Sequence, residues 1–168
     1  MNAQFKICSL LAGMFAAMLG YISPSSAAND PDFTLVFPAG IACEDFDLQV
    51  EGWGGNRHFK EFTDEEGNIV RTLDAGTGGA LLFTNLDSGS QYSTKSNGAV
   101  AHTTYNTDGS YTGKLTGHTV LILFPTDNPP GPSTTLIAGR LIYTVDTNGI
   151  WTLEEMSGKT TDICAALP

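Results

Sequence analysis

Hydrophobic and polar residues alternate over many short segments of the chain. In the segment EDFDLQVEG, Phe46, Leu48 and Val50 alternate with charged or amide side chains. Successive side chains of a β-strand point to opposite faces, so this pattern predicts a strand with one buried and one solvated face. After residue 28 we find no segment with the period of about 3.6 residues that marks an amphipathic helix. The alternation therefore predicts a domain built from strands.

Short polar segments rich in glycine, asparagine and aspartate separate these runs. NTDG ends at Gly109 and DTNG ends at Gly149, and each follows a run that contains a tyrosine. Asx-Gly pairs favour hairpin turns because glycine adopts positive φ without steric cost. We count about nine to eleven strands, which predicts an all-β fold. Short links favour sequential antiparallel strands, and closing the sheet on itself removes its exposed edges. We therefore expect a single meander-like β-barrel, with a β-sandwich as the alternative.

Two strongly apolar runs flank a proline-rich segment in the second half of the chain. The run from Leu136 to Val145 is mostly apolar at both alternating sets of positions, which predicts a strand covered on both faces. Four prolines and one glycine lie between Pro125 and Ser133. Proline fixes φ and removes an amide donor, so this segment is expected to be a stiff connection, with a pocket mouth as a further hypothesis. Both apolar runs are too short for a spanning helix, which needs about 20 residues.

The N-terminal residues have the composition of a targeting segment. Lys6 precedes an apolar stretch from Ile7 to about Ile22, and small residues follow, up to Ala28. A charged start, an apolar centre and a small-residue end are typical of a secretory signal peptide. We therefore predict a signal peptide over residues 1–28, cleaved after Ala28 or alternatively after Ala27, and a secreted single all-β domain over residues 29–168.

The charge of the chain limits the partners that it can bind. All 18 acidic residues but only seven of the eight basic residues follow residue 28, so the predicted mature chain has a net charge of −11. Such a surface repels nucleic-acid phosphates and anionic membranes. We therefore predict no nucleic-acid partner, and we interpret the acidity as a source of solubility.

Three cysteines are present, and one of them lies in the predicted signal peptide. The other two, Cys43 and Cys164, stand near the two ends of the predicted domain. Two cysteines in an exported domain predict one disulfide, and catalytic thiols are the alternative. Closing a loop of this length stabilises the fold by roughly 4–5 kcal/mol in the chain-entropy picture.

Familiar catalytic and metal-binding motifs are absent from the sequence. We find no nucleophile elbow, P-loop, dinucleotide fingerprint or closely spaced histidine pair, and we predict neither a metal nor a cofactor. Arg140 interrupts an apolar face of its predicted strand. A buried arginine needs an acceptor, so we expect an ion pair with Glu154 or Glu155 across the DTNG turn, or alternatively a contact to a ligand.

The remaining candidates come from residue types that transfer protons or line pockets. His102, His118, Tyr143 and Glu154 are the acid–base candidates that accompany Arg140. Trp151 and Arg140 are the candidates for binding a small ligand.

Several segments resemble those of a loose group of small exported proteins from actinomycetes and fungi. They are FPAGIAC, EGNIVR, LFTNLDSG, GHTVLILFPTDNPPGPSTTLIAGR and SGKTTDIC, and together they extend over almost all of the chain after the predicted signal peptide. The resemblance implies a secreted single β-domain, and it assigns no catalytic or binding residue.

These observations lead to one hypothesis and two alternatives. The hypothesis is non-catalytic binding of a small apolar or amphipathic ligand, or of a surface partner. The first alternative is a cofactor-independent barrel enzyme, such as a cyclase, isomerase or hydrolase, which requires at least two of the candidates in one cavity of about 300 Å³ or more. The second is a secreted effector or structural surface protein, which requires one large exposed apolar patch.

Overall fold

Ten β-strands form the framework of the part of the chain that the computed structural model describes, residues 30–168. The predicted signal peptide over residues 1–28 lies outside the described residues. Within residues 30–168 all regular elements are strands, which confirms the all-β prediction, and no helix there is long and apolar enough to cross a membrane. The strands are β1 (Phe33–Phe37), β2 (Leu48–Trp53), β3 (Asn56–Thr63), β4 (Ile69–Thr77), β5 (Ala80–Asn85), β6 (Gln91–Thr94), β7 (Gly98–Tyr105), β8 (Tyr111–Leu123), β9 (Ser133–Val145) and β10 (Trp151–Asp162).

The ten strands form two antiparallel sheets. The smaller sheet has the order β1-β2-β5-β6, and the larger sheet has the order β10-β9-β8-β7-β4-β3. The expected single barrel is therefore wrong for residues 30–168, since these sheets do not close, and the sandwich alternative fits better. The chain passes from one sheet to the other through three connections of two or three residues, at 54–55, 78–79 and 95–97.

Glycines in two of these connections explain why the strands change sheets. A Cβ atom on Gly79 would lie 2.8 Å from the carbonyl oxygen of Trp53, and one on Gly55 would lie 3.2 Å from the backbone nitrogen of Gly79. Gly55 also has a φ of +110°, which favours glycine. The two backbones lie close together here, and the β2–β5 and β3–β4 ladders both end at this place, at Trp53–Ala80 and Asn56–Thr77. The paired strands therefore leave one sheet and enter the other together.

The hydrophobic core joins the smaller sheet to the ends of the long strands and to the C-terminal segment. Phe83, Leu48 and Ile163 are fully buried there, and Val120 and Leu136 of the larger sheet pack against the same cluster. The predicted disulfide is confirmed: Cys43 in the β1–β2 loop is bonded to Cys164 after β10. A hydrogen bond from Thr134 Oγ1 to the carbonyl oxygen of Ala42, 2.9 Å long, fixes the same loop to β9.

The long strand β9 is buried on one face and half-buried on the other, so the prediction that both of its faces are covered holds for one face only. None of its 13 residues is fully exposed, and in β8 only Lys114 and His118 are. Both strands lie inside the larger sheet, between β7 and β10. The two exposed residues of β8 are therefore exceptions that mark one accessible part of the sheet.

The proline-rich connection folds back onto the beginning of β10. The N–H of Asn128 donates to the carbonyl oxygen of Trp151 at 2.9 Å, and the N–H of Leu153 donates to the carbonyl oxygen of Asn128 at 2.7 Å. Inside the loop, the buried Asp127 carboxylate accepts a 2.8 Å hydrogen bond from the N–H of Phe124. The loop thus connects two core strands and also shields part of the β10 edge.

Candidate functional site

Four of the sequence candidates, Arg140, His102, His118 and Glu154, lie on one face of the larger sheet. Arg140 on β9 pairs with Thr116 on β8, and His102 on β7 pairs with Lys114 on β8. Paired residues of antiparallel strands share a face, and so do residues two apart along one strand. Arg140 and His102 therefore lie on the same side as Lys114, Thr116 and His118. We call this side the outer face as far as His118 and Ala138; beyond them, Val120 and Leu136 on the same side pack into the core.

Arg140 forms the ion pair that its sequence context predicts, and its partner is Glu155. Its Nη2 lies 3.3 Å from Glu155 Oε2, and the two side chains are 42% and 46% exposed. The arginine therefore reaches solvent, although its buried Nε has no hydrogen-bond partner among residues 30–168. A register shift between Leu153 and Glu155 explains the choice of partner. Glu154 instead accepts a 2.7 Å hydrogen bond from Thr144 Oγ1.

Basic side chains are concentrated on the outer face. Within residues 30–168, five of the seven lysines and arginines belong to it, together with all three histidines. Its acidic members are Glu154 and Glu155, and the other 16 acidic residues lie elsewhere. The outer face is thus locally positive on a strongly acidic chain. Its basic residues are His58, Lys60, Arg71, His102, Lys114, His118, Arg140 and Lys159.

Lys60 of β3 and Arg71 of β4 lie over the same aromatic ring. Lys60 Nζ lies 4.8 Å and Arg71 Cζ 4.0 Å from the centre of the Phe62 ring, distances at which a cation is attracted to the ring. Arg57 is on the opposite face, where its Nε donates a 2.8 Å hydrogen bond to Asp74 Oδ1. Arg57 is therefore neutralised locally and adds nothing to the charge of the outer face.

Tyr143 and Trp151 lie on the opposite, inner face of the larger sheet. Their rings are stacked with centres 5.0 Å apart, and the Tyr111 ring meets Tyr143 edge-on at 6.5 Å. Tyr143 and Trp151 are each only 4% exposed. Burial, followed by the neighbouring Tyr111, raises the pKa of Tyr143. Gly113 makes room for this arrangement, since a Cβ atom there would overlap the Tyr143 ring.

The candidates are thus divided between two sides of one sheet. Arg140, His102 and His118 share the outer face with Glu154, whereas Tyr143 and Trp151 are packed against each other on the inner face. No group of three or more histidine, cysteine, aspartate or glutamate side chains within residues 30–168 is placed to hold a metal ion.

An open cleft of about 270 Å³ lies near the disulfide, away from every candidate. Aspartate and glutamate side chains make up much of its wall, and it contains no basic residue. It therefore does not bring two candidates together, as the enzyme alternative requires. The residues that line it are Glu44, Asp45, Phe46, Pro132, Ser133, Asp162, Cys164 and Ala165.

Sequence reasoning missed the lysines that complete the outer face. Lys114 stands two residues from Thr116 and four from His118, so alternation along β8 already assigns all three to one side. The same rule groups His58 with Lys60 on β3. The parity of positions along the strands is the signal that reveals this surface.

No protein-family model, curated protein or solved structure matches this chain. The resemblance to small exported proteins of actinomycetes and fungi therefore stays a prediction.

Proposed function

We propose that this chain is a secreted, non-catalytic binding protein that holds an anionic partner on its outer face. The observation that carries the proposal is the separation of charge. Most lysines and arginines of residues 30–168 are on one exposed sheet face, although acidic residues outnumber basic ones by 18 to seven in that range. A locally positive surface on an acidic chain orients and retains negatively charged partners at short range.

The distribution of the candidates favours binding at this surface over chemistry in the interior. Tyr143 and Trp151 are buried against each other, so their rings are occupied by packing contacts. His102, His118 and Lys114 are exposed on the opposite side. The disulfide supports secretion, because such bonds persist in oxidising compartments.

Retention on a carboxymethyl cation-exchange matrix at neutral pH and low salt tests the proposal. A protein with a pI near 4.4 is repelled on average by such a matrix, so retention requires an oriented positive face. We expect the unmodified protein to be retained and then released by added salt, which screens the attraction. Flow-through of the unmodified protein would contradict the proposal.

A pair of matched variants locates the retaining surface. Lys114→Gln/Lys159→Gln removes two positive charges from the outer face, and Arg57→Gln/Lys95→Gln removes two from elsewhere, so the variants have equal net charge. We expect the first to lose retention and the second to keep it. Equal behaviour of the two variants would assign retention to another surface.

A further inference from the structure

We infer that the anionic partner is an acidic polysaccharide that carries both carboxylate and hydroxyl groups; this inference rests on the proposed function. On the outer face, hydroxyl side chains lie between the cations. Thr116 and Ser157 flank Arg140 in the register of β8, β9 and β10, and Thr112 pairs with Thr144. Neighbouring strands are about 4.8 Å apart, so a cation on one strand and a hydroxyl on the next are separated by a similar distance. A polymer of acidic sugars offers both matching groups in each repeating unit.

The acidic turns at one end of the sheet determine the direction of the polymer. The β3–β4, β7–β8 and β9–β10 turns all lie at that end, and they contain Asp64, Asp108 and Asp146. Each of these carboxylates accepts hydrogen bonds within its own turn, mainly from Asn68, Ser110 and Ile150 respectively, which lowers its pKa. They remain charged and repel an anion at that end. A polyanion is therefore expected to run across the strands, from β3 to β10.

The same face is poorly suited to nucleic acids and lipid surfaces. Single-stranded nucleic acids bind through aromatic side chains on which bases stack. Within residues 30–168 the outer face has one phenylalanine, tyrosine or tryptophan ring, that of Phe62, and Lys60 and Arg71 already lie over it. Binding to a lipid surface requires apolar side chains that insert, whereas the exposed side chains of this face on β7 and β8 are those of His102, Thr104, Lys114 and His118.

A second copy of the chain offers no matching acidic face. The four strands of the smaller sheet contain one acidic residue, Glu51. Most other acidic residues lie in turns and loops, chiefly the turns at one end of the larger sheet and the segment 44–47. Charge complementarity therefore favours an external polymer over self-association.

Titration calorimetry at low salt with four soluble polymers tests the inference. Polygalacturonate carries carboxylates and hydroxyls, polyacrylate only carboxylates, dextran only hydroxyls, and an oligothymidylate presents phosphates and bases. We expect the tightest binding for polygalacturonate and none for dextran. Tighter binding of polyacrylate or of the oligothymidylate, or no binding of polygalacturonate, would overturn the inference.

Two variants separate recognition of sugar from simple charge attraction. Thr112→Val/Thr116→Val keeps branched side chains of the same size and removes two hydroxyls. If each lost hydrogen bond weakens binding about two- to tenfold, affinity for polygalacturonate falls by roughly one order of magnitude and affinity for polyacrylate is unchanged. Lys114→Gln/Lys159→Gln weakens binding to both polymers. Equal loss for both polymers in the threonine variant would refute sugar recognition.

The carboxymethyl experiment keeps the two proposals apart. Retention on the matrix without binding of polygalacturonate overturns the polysaccharide inference and leaves the anion-binding function in place. Flow-through on the matrix together with the absence of polymer binding overturns both.

Discussion

The two faces of the larger sheet are made by the same strands and have opposite roles. In β9, Leu141, Tyr143 and Val145 are buried on the inner face, while Arg140 and Thr144 reach solvent on the outer face. The inner side contributes packing, and the outer side contributes charge and hydroxyl groups. Alternation along a strand therefore lets substitutions at neighbouring positions separate stability from binding.

The largest effect is expected for Tyr143→Ala on the inner face. Truncating a buried aromatic ring removes its packing with Trp151 and leaves a cavity, so the free energy of unfolding should fall by about 3–5 kcal/mol. Urea-induced unfolding measures the loss. Lys114→Ala on the outer face serves as the control and should change stability by less than about 0.5 kcal/mol. A loss under about 1 kcal/mol for Tyr143→Ala would contradict the tight packing of the inner face.

Gly113→Ala tests the fit between the Tyr143 ring and the backbone below it. A methyl group on Gly113 would overlap that ring, so we expect a destabilisation of about 1–3 kcal/mol from overpacking. Tyr143→Ala removes the ring, so the cost of Gly113→Ala should nearly vanish in the double variant. Additive effects in this double-mutant cycle would show that the two residues do not interact.

The raised pKa of Tyr143 predicts a loss of stability at alkaline pH. Burial favours the neutral phenol in the folded protein, whereas the unfolded chain ionises near the ordinary tyrosine value of about 10. Above about pH 10 the unfolded state therefore binds fewer protons than the folded state. The contribution of Tyr143 to the free energy of unfolding is complete below about pH 10. It is lost as the pH rises further, by up to about 1.4 kcal/mol per pH unit.

Tyr143→Phe provides the comparison for this alkaline effect. It keeps the ring and removes the ionisable hydroxyl, so stability should decline less steeply with pH. Urea titrations between about pH 9 and 11 compare the two proteins across the ordinary tyrosine range. Parallel declines would indicate that Tyr143 does not determine the alkaline sensitivity.

Local sequence patterns predicted the parts of the fold that depend on neighbouring residues. Alternation identified β2, a long apolar run identified the strand β9, and the spacing of Cys43 and Cys164 in an exported domain identified the disulfide. Each of these signals lies in a short segment or in a count of one residue type. None of them requires knowledge of which strands are paired.

Features that depend on distant backbone contacts could not be predicted in this way. The division into two sheets occurs where the backbones of Gly55 and Gly79, which are 24 positions apart, come close together. The outer face requires the pairing of β4 with β7, which brings Arg71 beside Thr104. The register shift between Leu153 and Glu155 determines that Arg140 forms its ion pair with Glu155 and not with Glu154. Pairing and register are therefore what separated the candidates into two groups.

The smallest stability effect is expected for the ion pair on the outer face. Arg140 and Glu155 are both about half exposed, and pairs of this kind contribute about 0–1 kcal/mol. Glu155→Gln should therefore leave the free energy of unfolding within about 1 kcal/mol of that of the unmodified protein. It also removes one of the two acidic side chains of the outer face, so binding to the carboxymethyl matrix should strengthen and more salt should be needed for elution.

The reverse substitution in the same pair completes the contrast with the inner face. Arg140→Gln should match Glu155→Gln in stability, while its retention on the matrix should be weaker. Glu155→Gln and Arg140→Gln would then change retention on the matrix in opposite directions, although their free energies of unfolding would be alike. If both weakened retention equally, the ion pair itself, and not the charge of the outer face, would be what the matrix requires.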